Sequence, residues 1–429
     1  MTSKIITGSR SPFKGEITPP GDKSISHRSL MLGSLGDGIS VVKDFLISDD
    51  TLSTANAMRA LGISININGT DVQIDGRGAH GLSEPKEIID CGNSGTTTRL
   101  LTGLLSGQNF TSTLTGDQYL QKRPMKRVVD PLTKMGARIT GNEDGNKLPL
   151  TITGTKLTGI SYELPVASAQ VKSAILLAGM YADGETEVIE PEASRDHTER
   201  MLSYLGVPIE KSGNTIKISR ISNISSAEII VPSDISSAAF FMVAALITPG
   251  SDILIKNVGI NPLRTGIVEI LKAMGGNVSI ENERDLNGEP VGDIVARSSE
   301  LHGTRIGGDL IPKAIDELPL ISVAAAFAQG ETVINDAAEL RVKETDRIHA
   351  MASELGKLGV EVEEYDDGMS IKGTDSLTGA TCRSWGDHRI AMSIAIAATR
   401  AKGETQIDDA DCVSVSYPGF FDVIDELRR

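Results

Sequence analysis

The chain has 429 residues, more than one hydrophobic core organises, so two or three domains are expected. Hydrophobic residues make up 39% and charged residues 23%, an ordinary globular mixture, while 3% aromatics with Trp385 as the single tryptophan excludes a platform for stacking nucleobases. Forty-two basic against 57 acidic side chains give −15, a field that repels nucleic acid and anionic membranes and admits an anionic small molecule only through a local basic pocket.

The N-terminal stretch MTSKIITGSRSPFKGEITPP alternates apolar and polar residues without a signal-like apolar core. It reads as an orphan hairpin-like segment ending at Pro19-Pro20. Gly21 to Arg28, GDKSISHR, then puts a lysine, a hydroxyl and an arginine just before and within the helix SHRSLMLGSLG. Ser24 there can cap the helix or contact a ligand. The segment lacks the spacing of a P-loop, so a nucleoside triphosphate is not indicated.

A repeated pattern follows: an amphipathic helix, a Gly turn, a strand, a polar turn and another strand. It occurs at 58–76, 132–154, 201–219, 270–296 and 351–373. The glycine after each helix is the expected C-terminal cap, and turn residues join each strand pair. A sixth helix, FFDVIDELRR, has no hairpin after it. The N-terminal strands therefore complete the sixth unit, which gives three units per domain and one domain that uses both chain ends.

The expected boundaries are residues 1–20 with 233–429 for domain I and 21–232 for domain II, with proline near both crossings. Interleaved with the repeats are TTTRLLTGLLSG, AQVKSAILLAGMYA, SSAAFFMVAALI, LPLISVAAAFAQG and HRIAMSIAIAATRA. Several are apolar on nearly every face and are expected to be buried inside sheets and outer helices. The longest apolar run, residues 238–247, is too short to span a bilayer. Cys91, Cys382 and Cys412 form no CxxC pair, so a reduced, cytoplasmic protein without zinc is expected.

Several of these helices open with cations. They are Lys23 and Arg28, Arg99, Arg195 with His197, Lys343 with Arg347, and Arg389. A cation at a helix N-terminus opposes the dipole by about 0.3–1 kcal/mol. Five such contradictions of a local rule mark function, because a bound anion would reverse the sign. Acidic neighbours such as Asp22, Asp196, Glu344 and Asp387 offer the alternative of ordinary surface pairing at any one site.

The motifs GDKSISHRS, GNSGTTTRLL, KRPM, SAQVKSA, SRDHTE, RVKETDR and GDHRIAM occur in the order and approximate spacing of the EPSP synthases, and the chain resembles that family from about residue 15 to 420. SRDHTE and SAQVK resemble its class II branch. The resemblance implies an α/β (α+β) fold of two domains, each of three βαβαββ units with buried helices, an inside-out barrel with the active site in the inter-domain cleft. It implies transfer of the enolpyruvyl group of phosphoenolpyruvate to the 5-hydroxyl of shikimate 3-phosphate.

By the same resemblance, Lys23, Ser24, Arg28, Ser168, Ala169, Gln170, Arg195, Asp316 and Lys343 bind shikimate 3-phosphate. Lys23, Gly95, Arg123, Gln170, Arg347 and Arg389 hold phosphoenolpyruvate. Asp316 accepts the hydroxyl proton, Glu344 serves the methylene carbon and Lys23 assists phosphate departure. Planar guanidinium groups suit carboxylate and phosphate because they donate two parallel hydrogen bonds. Lys343 and Arg347, four apart, are expected on one helix face beside Glu344.

Asp316 also admits the role of a helix cap, and Gln170 likewise. His27, His197 and His388 show no metal-ligand spacing and are expected to be structural or ligand-orienting. No cofactor is implied, and a monomer is expected. Two departures from the family pattern stand out. Val415 occupies the place of a lysine found in many members, and Leu100 replaces a proline. Gly95, in place of the alanine of strongly tolerant members, implies measurable inhibition by glyphosate.

Three other readings are weaker. UDP-N-acetylglucosamine enolpyruvyl transferases present a loop cysteine, which the KRPM region lacks. RNA 3′-phosphate cyclase has a related repeat, but a −15 chain suits RNA poorly. A catalytically dead scaffold would have lost Lys23, Asp316 or Glu344, and all three are present.

Overall fold

The computed structural model describes residues 2–429. It divides into two compact units. A middle unit comprises Gly21–Val231 with Leu286–Glu289, and a terminal unit comprises the residues up to Pro20, Pro232–Asp285 and Pro290–Arg429. Each encloses its own hydrophobic cluster. The hairpin turn at 286–289 joins the middle unit through Glu289, which lies 2.7 Å from His197 Nδ1, and Asn287, whose Oδ1 accepts from Ile230 N at 2.8 Å.

The middle unit carries helices α1 (Lys23–Leu35), α2 (Asp49–Ala60), α3 (Gly95–Ser106), α4 (Lys126–Lys134), α5 (Ala169–Gly179) and α6 (His197–Tyr204). The terminal unit carries α7 (Ile235–Ile247), α8 (Gly266–Ala273), α9 (Leu318–Ala326), α10 (Arg347–Lys357), α11 (His388–Ala398) and α12 (Phe420–Leu427). The odd-numbered helices are the apolar ones, and they lie inside. All thirteen residues of α7 are buried. The even-numbered helices pair one apolar stripe with a polar face, as an outer layer requires. Gly103 permits the tightest inner packing, since a methyl group there would come 2.1 Å from the Ala174 carbonyl oxygen of α5.

Three sheets surround the inner helices of each unit. In the first sheet of the middle unit, Glu228–Ile230 runs parallel to Asp37–Lys43, which is antiparallel to Asp71–Arg77, itself antiparallel to Ser64–Asn68. The second and third sheets, built on Thr111–Thr115 and Glu185–Ile189, repeat that order. The helix-to-strand turns use Gly62, Gly136, Gly206, Gly275 and Gly359, with φ from +82° to +98°. This left-handed region favours glycine, so the five repeated glycines are the caps the sequence pattern calls for.

The N-terminal segment differs from its hairpin reading. Lys4–Thr7 pairs antiparallel with Glu404–Asp408, whereas Lys14–Ile17 pairs parallel with Asp252–Gly259 in another sheet. Between them Gly8 N bonds Gly403 O, Ser9 N bonds Thr399 O, and Phe13 is fully buried. Those anchors carry the chain onward instead of doubling it back. The sixth repeat therefore borrows one strand from the N-terminus, and its sheet has three strands. Among the described residues no helix is long and apolar enough to cross a membrane.

Candidate functional site

In the middle unit the expected residues lie at or near helix openings, most of them those of the inner helices. Asp22 caps α1 by accepting from Ile25 N at 2.8 Å, so the cap falls to Asp22 and Ser24 lies within the first turn. Lys23 is the first helical residue, and its Nζ lies 3.2 Å from Asp50 Oδ2. Arg28 sits in the second turn and folds back: Nη1 donates to Ser24 O at 2.9 Å, Nε to Thr198 Oγ1 at 2.7 Å and Nη2 to Ser173 Oγ at 2.8 Å. Burial pulls its guanidinium down to about 10, opposed by Glu199 and Asp22.

Lys172, fully buried in α5, lies 2.8 Å from Glu190 and 2.7 Å from Glu199, and donates to Ser194 O at 3.1 Å. It thereby fixes the segment leading to Arg195. Burial raises the Glu199 carboxyl above its usual range, against the pull of Lys172. His27, buried in α1, meets Thr54 Oγ1 at 2.7 Å. Thr54 meets Thr97 at 2.6 Å, and Thr97 reaches Ser94, the cap of α3, at 2.8 Å. Desolvation drives His27 down to about 3, which makes it a neutral strut.

Gly95 opens α3 beside two guanidinium groups: a methyl group there would lie 3.3 Å from Arg123 Nη1 and 3.4 Å from Arg99 Nη1. Arg123 Nη2 donates to Asn93 Oδ1, and Asn93 donates to Asp117 at 2.8 Å. Arg99 Nη1 donates to Gln170 Oε1, and Gln170 Nε2 donates to Thr96 Oγ1 at 3.0 Å. Gln170 is therefore no cap. Ser168 caps α5, and Ala169 is its first residue.

In the terminal unit one guanidinium organises the acidic groups. Arg347 begins α10 and is 1% exposed. Nε donates to Asp387 Oδ2 at 2.8 Å, Nη1 to Asp316 Oδ1 at 3.2 Å and Nη2 to Glu344 Oε2 at 2.7 Å. Burial opposes the charge on Arg347, yet Asp387, Glu344 and Asp316 hold its proton affinity above the ordinary arginine range. Asp387 also caps α11, accepting from Arg389 N at 2.8 Å. Arg389 Nη1 donates to the Asp316 carbonyl at 3.1 Å. Asp316 thus joins this cluster and does not cap α9, whose N-cap position is Glu317.

The shared helix face expected for Lys343 and Arg347 is not formed. Asp346 caps α10 at Arg347, accepting from His349 N, so Lys343 stands in extended backbone after the 3-10 turn Ala338–Val342. Burial lowers the Lys343 ammonium below the usual lysine range, and Asp316 opposes it. The cations also differ in depth: Lys23, Arg347 and Arg389 stand in first turns, Arg28 and Arg99 in second turns, and Arg195 two residues before α6. Val415 ends a 3-10 segment, Ala410–Val415, that contains no basic residue.

Sequence reasoning misses the deeper partners. Lys172 sits in an otherwise apolar helical run, which is the available signal, whereas Glu317 is masked by its neighbour Asp316 and Asp387 looks in sequence like no more than a surface pair. Among the described residues no His, Cys, Asp or Glu group is arranged to hold a metal ion.

A sequence model of the family described as EPSP synthase (3-phosphoshikimate 1-carboxyvinyltransferase) matches residues 8–424. The chain is 60% identical over 407 residues to the 3-phosphoshikimate 1-carboxyvinyltransferase of Geotalea daltonii, covering 95% of each chain. It is 56% identical over 428 residues to that of Pelobacter propionicus, covering 100% of this chain and 99% of the other. The solved EPSP synthase of Acinetobacter baumannii superposes with a TM-score of 0.90 at 47% identity, covering 99% of this chain and 98% of that one. With the match spanning both units and every motif at their helix openings, the chain belongs to the EPSP synthase family.

Proposed function

We propose that this protein transfers the enolpyruvyl group of phosphoenolpyruvate to the 5-hydroxyl of shikimate 3-phosphate, releasing phosphate. The observation that carries this reading is the attachment of both Asp316 and Glu344 to Arg347. Two carboxylates that must handle protons differently are held by a guanidinium able to exchange them for a ligand's phosphate or carboxylate.

Lys23, Ser24, Arg28, Ser168, Ala169, Gln170, Arg195, Asp316 and Lys343 are assigned to shikimate 3-phosphate. Gly95, Arg123, Gln170, Arg347 and Arg389, with Lys23, are assigned to phosphoenolpyruvate. When the ligand takes the Nη donors of Arg347, the charge that favours ionised Glu344 is withdrawn, and Glu344 can carry a proton. The 5-oxygen attacks C2 while its proton passes to Asp316, and Glu344 protonates C3, giving a tetrahedral adduct. The C2–O bond to phosphate then breaks, with Lys23 offsetting the charge on the leaving phosphate and the proton held by Asp316 passing out to it, and Glu344 recovers a methyl proton as the double bond re-forms. Phosphoenolpyruvate already carries the activated enol, so the chemistry calls for no further cofactor.

A coupled phosphate-release assay tests the assignment. Release is expected only with both substrates present, and its absence would refute the reading. Glyphosate is proposed to bind beside Gly95. Inhibition is expected at millimolar inhibitor and is expected to weaken in Gly95→Ala, whose methyl group crowds Arg123 and Arg99. We further place the protein in the cytoplasm as a monomer, which sedimentation at micromolar concentration checks.

A further inference from the structure

We propose that Glu317 is a positioning residue that supplies the countercharge of Arg389 without consuming its hydrogen-bond donors, keeping that guanidinium open for phosphoenolpyruvate. The inference rests on the assignment of Arg389 to that substrate.

The two arginines of the terminal cluster are bound in different ways. Arg347 spends Nε, Nη1 and Nη2 on Asp387, Asp316 and Glu344. Arg389, also buried, makes one side-chain hydrogen bond among the described residues, to the main-chain oxygen of Asp316 at 3.1 Å. A buried guanidinium needs a countercharge. Two carboxylates stand near it, Asp316 Oδ2 at 3.9 Å from Nη2 and Glu317 Oε1 at 3.7 Å from Nη1. Both distances are too long for hydrogen bonds but short for Coulomb attraction.

Glu317 is the better anchored of the two. It is 1% exposed, occupies the N-cap position of α9 and makes no capping bond. Its Oε1 instead accepts from Ser236 Oγ on α7. Arg264 Nη2 donates to Ser236 Oγ at 2.8 Å and to Asp234 Oδ1 at 3.0 Å, which ties the hydroxyl in turn. Glu317 Oε2 is buried with no hydrogen-bond partner among the described residues. The carboxylate is thus pinned from behind, and its charge is held just beyond bonding reach of Arg389. Without that charge, the guanidinium would move onto the Asp316 carboxylate. That shift would close its donors to the ligand and occupy the group assigned to take the hydroxyl proton.

The test compares the charge-removing isostere Glu317→Gln with the charge-keeping, shorter Glu317→Asp. Glu317→Gln is expected to raise KM for phosphoenolpyruvate at least fivefold while KM for shikimate 3-phosphate stays within twofold, and Glu317→Asp is expected to fall between Gln and wild type. A merely structural glutamate gives the reverse order, with Gln tolerated and Asp worse, and that order overturns the proposal. If the Gln variant does not fold, Ser236→Ala is read in its place: at least a threefold rise in KM for phosphoenolpyruvate supports the pin, and no rise overturns it. Arg389→Lys serves as the control. If it leaves KM for phosphoenolpyruvate unchanged, the assignment of Arg389 falls and this inference with it. If it raises that KM while Glu317→Gln does not, only this inference falls.

Discussion

Arg347 is bonded to three carboxylates that differ in exposure, and under the proposed function that difference separates structure from chemistry. Asp387 is fully buried, whereas Asp316 and Glu344 are 16% and 29% exposed at the side chain. Removing the guanidinium strands a buried negative charge, so Arg347→Met is expected to cost about 3–5 kcal/mol of stability as well as activity. Asp316→Asn leaves Arg347 paired with Asp387 and Glu344, so its stability is expected to stay within about 1 kcal/mol of wild type while phosphate release falls about 10²–10⁴-fold. Urea unfolding beside the coupled assay measures both, and equal destabilisation by the two variants would contradict the division. At this scale the candidate residues legible in the sequence are those that stand in motifs, such as Lys23, Arg28, Glu344 and Arg389. The roles of Asp387, Glu317 and Lys172 are not legible, because they depend on which helices pack against them, and no spacing along the chain encodes that.

Helix ends carry the next level of organisation. Gly359 stands at φ +91° with open space where a side-chain methyl group would point, so Gly359→Ala incurs only the backbone cost of the left-handed conformation. A loss of about 1–2 kcal/mol in urea is expected, and less for Gly359→Asn. The five such caps are readable because a left-handed turn leaves a residue-type signature. The segment at residues 4–17 misleads as a hairpin because alternation marks a strand without naming its partner. Helices α1, α2 and α3 are further joined by the His27–Thr54–Thr97–Ser94 chain. His27 titrates near 6.5 when unfolded and at about 3 when folded, so the unfolded state binds the extra proton between those values. The contribution is therefore whole above about pH 6.5 and is lost as pH falls toward 3. Between pH 7 and pH 5 the wild type is expected to lose about 2 kcal/mol through this group. His27→Asn, which can reach Thr54 without titrating, should lack that part of the slope. Parallel slopes for the two proteins would show that His27 is not the linked group.

Over the whole molecule, the two units share one plan but close over different lengths of chain. The middle unit closes when Ala227 N reaches Ser40 Oγ, 187 positions apart. The terminal unit closes only when the N-terminal strand meets Glu404–Asp408, with Thr2 reaching Asp411 across 409 positions. Roughly doubling a loop adds about 0.6 kcal/mol of closure entropy, which is about a threefold slower step if closure limits folding. The terminal unit also needs chain segments from both sides of the middle unit, so a folded middle unit shortens the gap it must bridge. The middle unit is therefore expected to fold first. Pulsed hydrogen exchange during refolding measures this directly. Amides of α1, α3 and α5 should gain protection about three times faster than those of α7, α9 and α11. Equal rates would mean that closure is not the limiting step, and earlier protection of the terminal unit would mean that its apolar α7 nucleates folding before the N-terminal strand is in place.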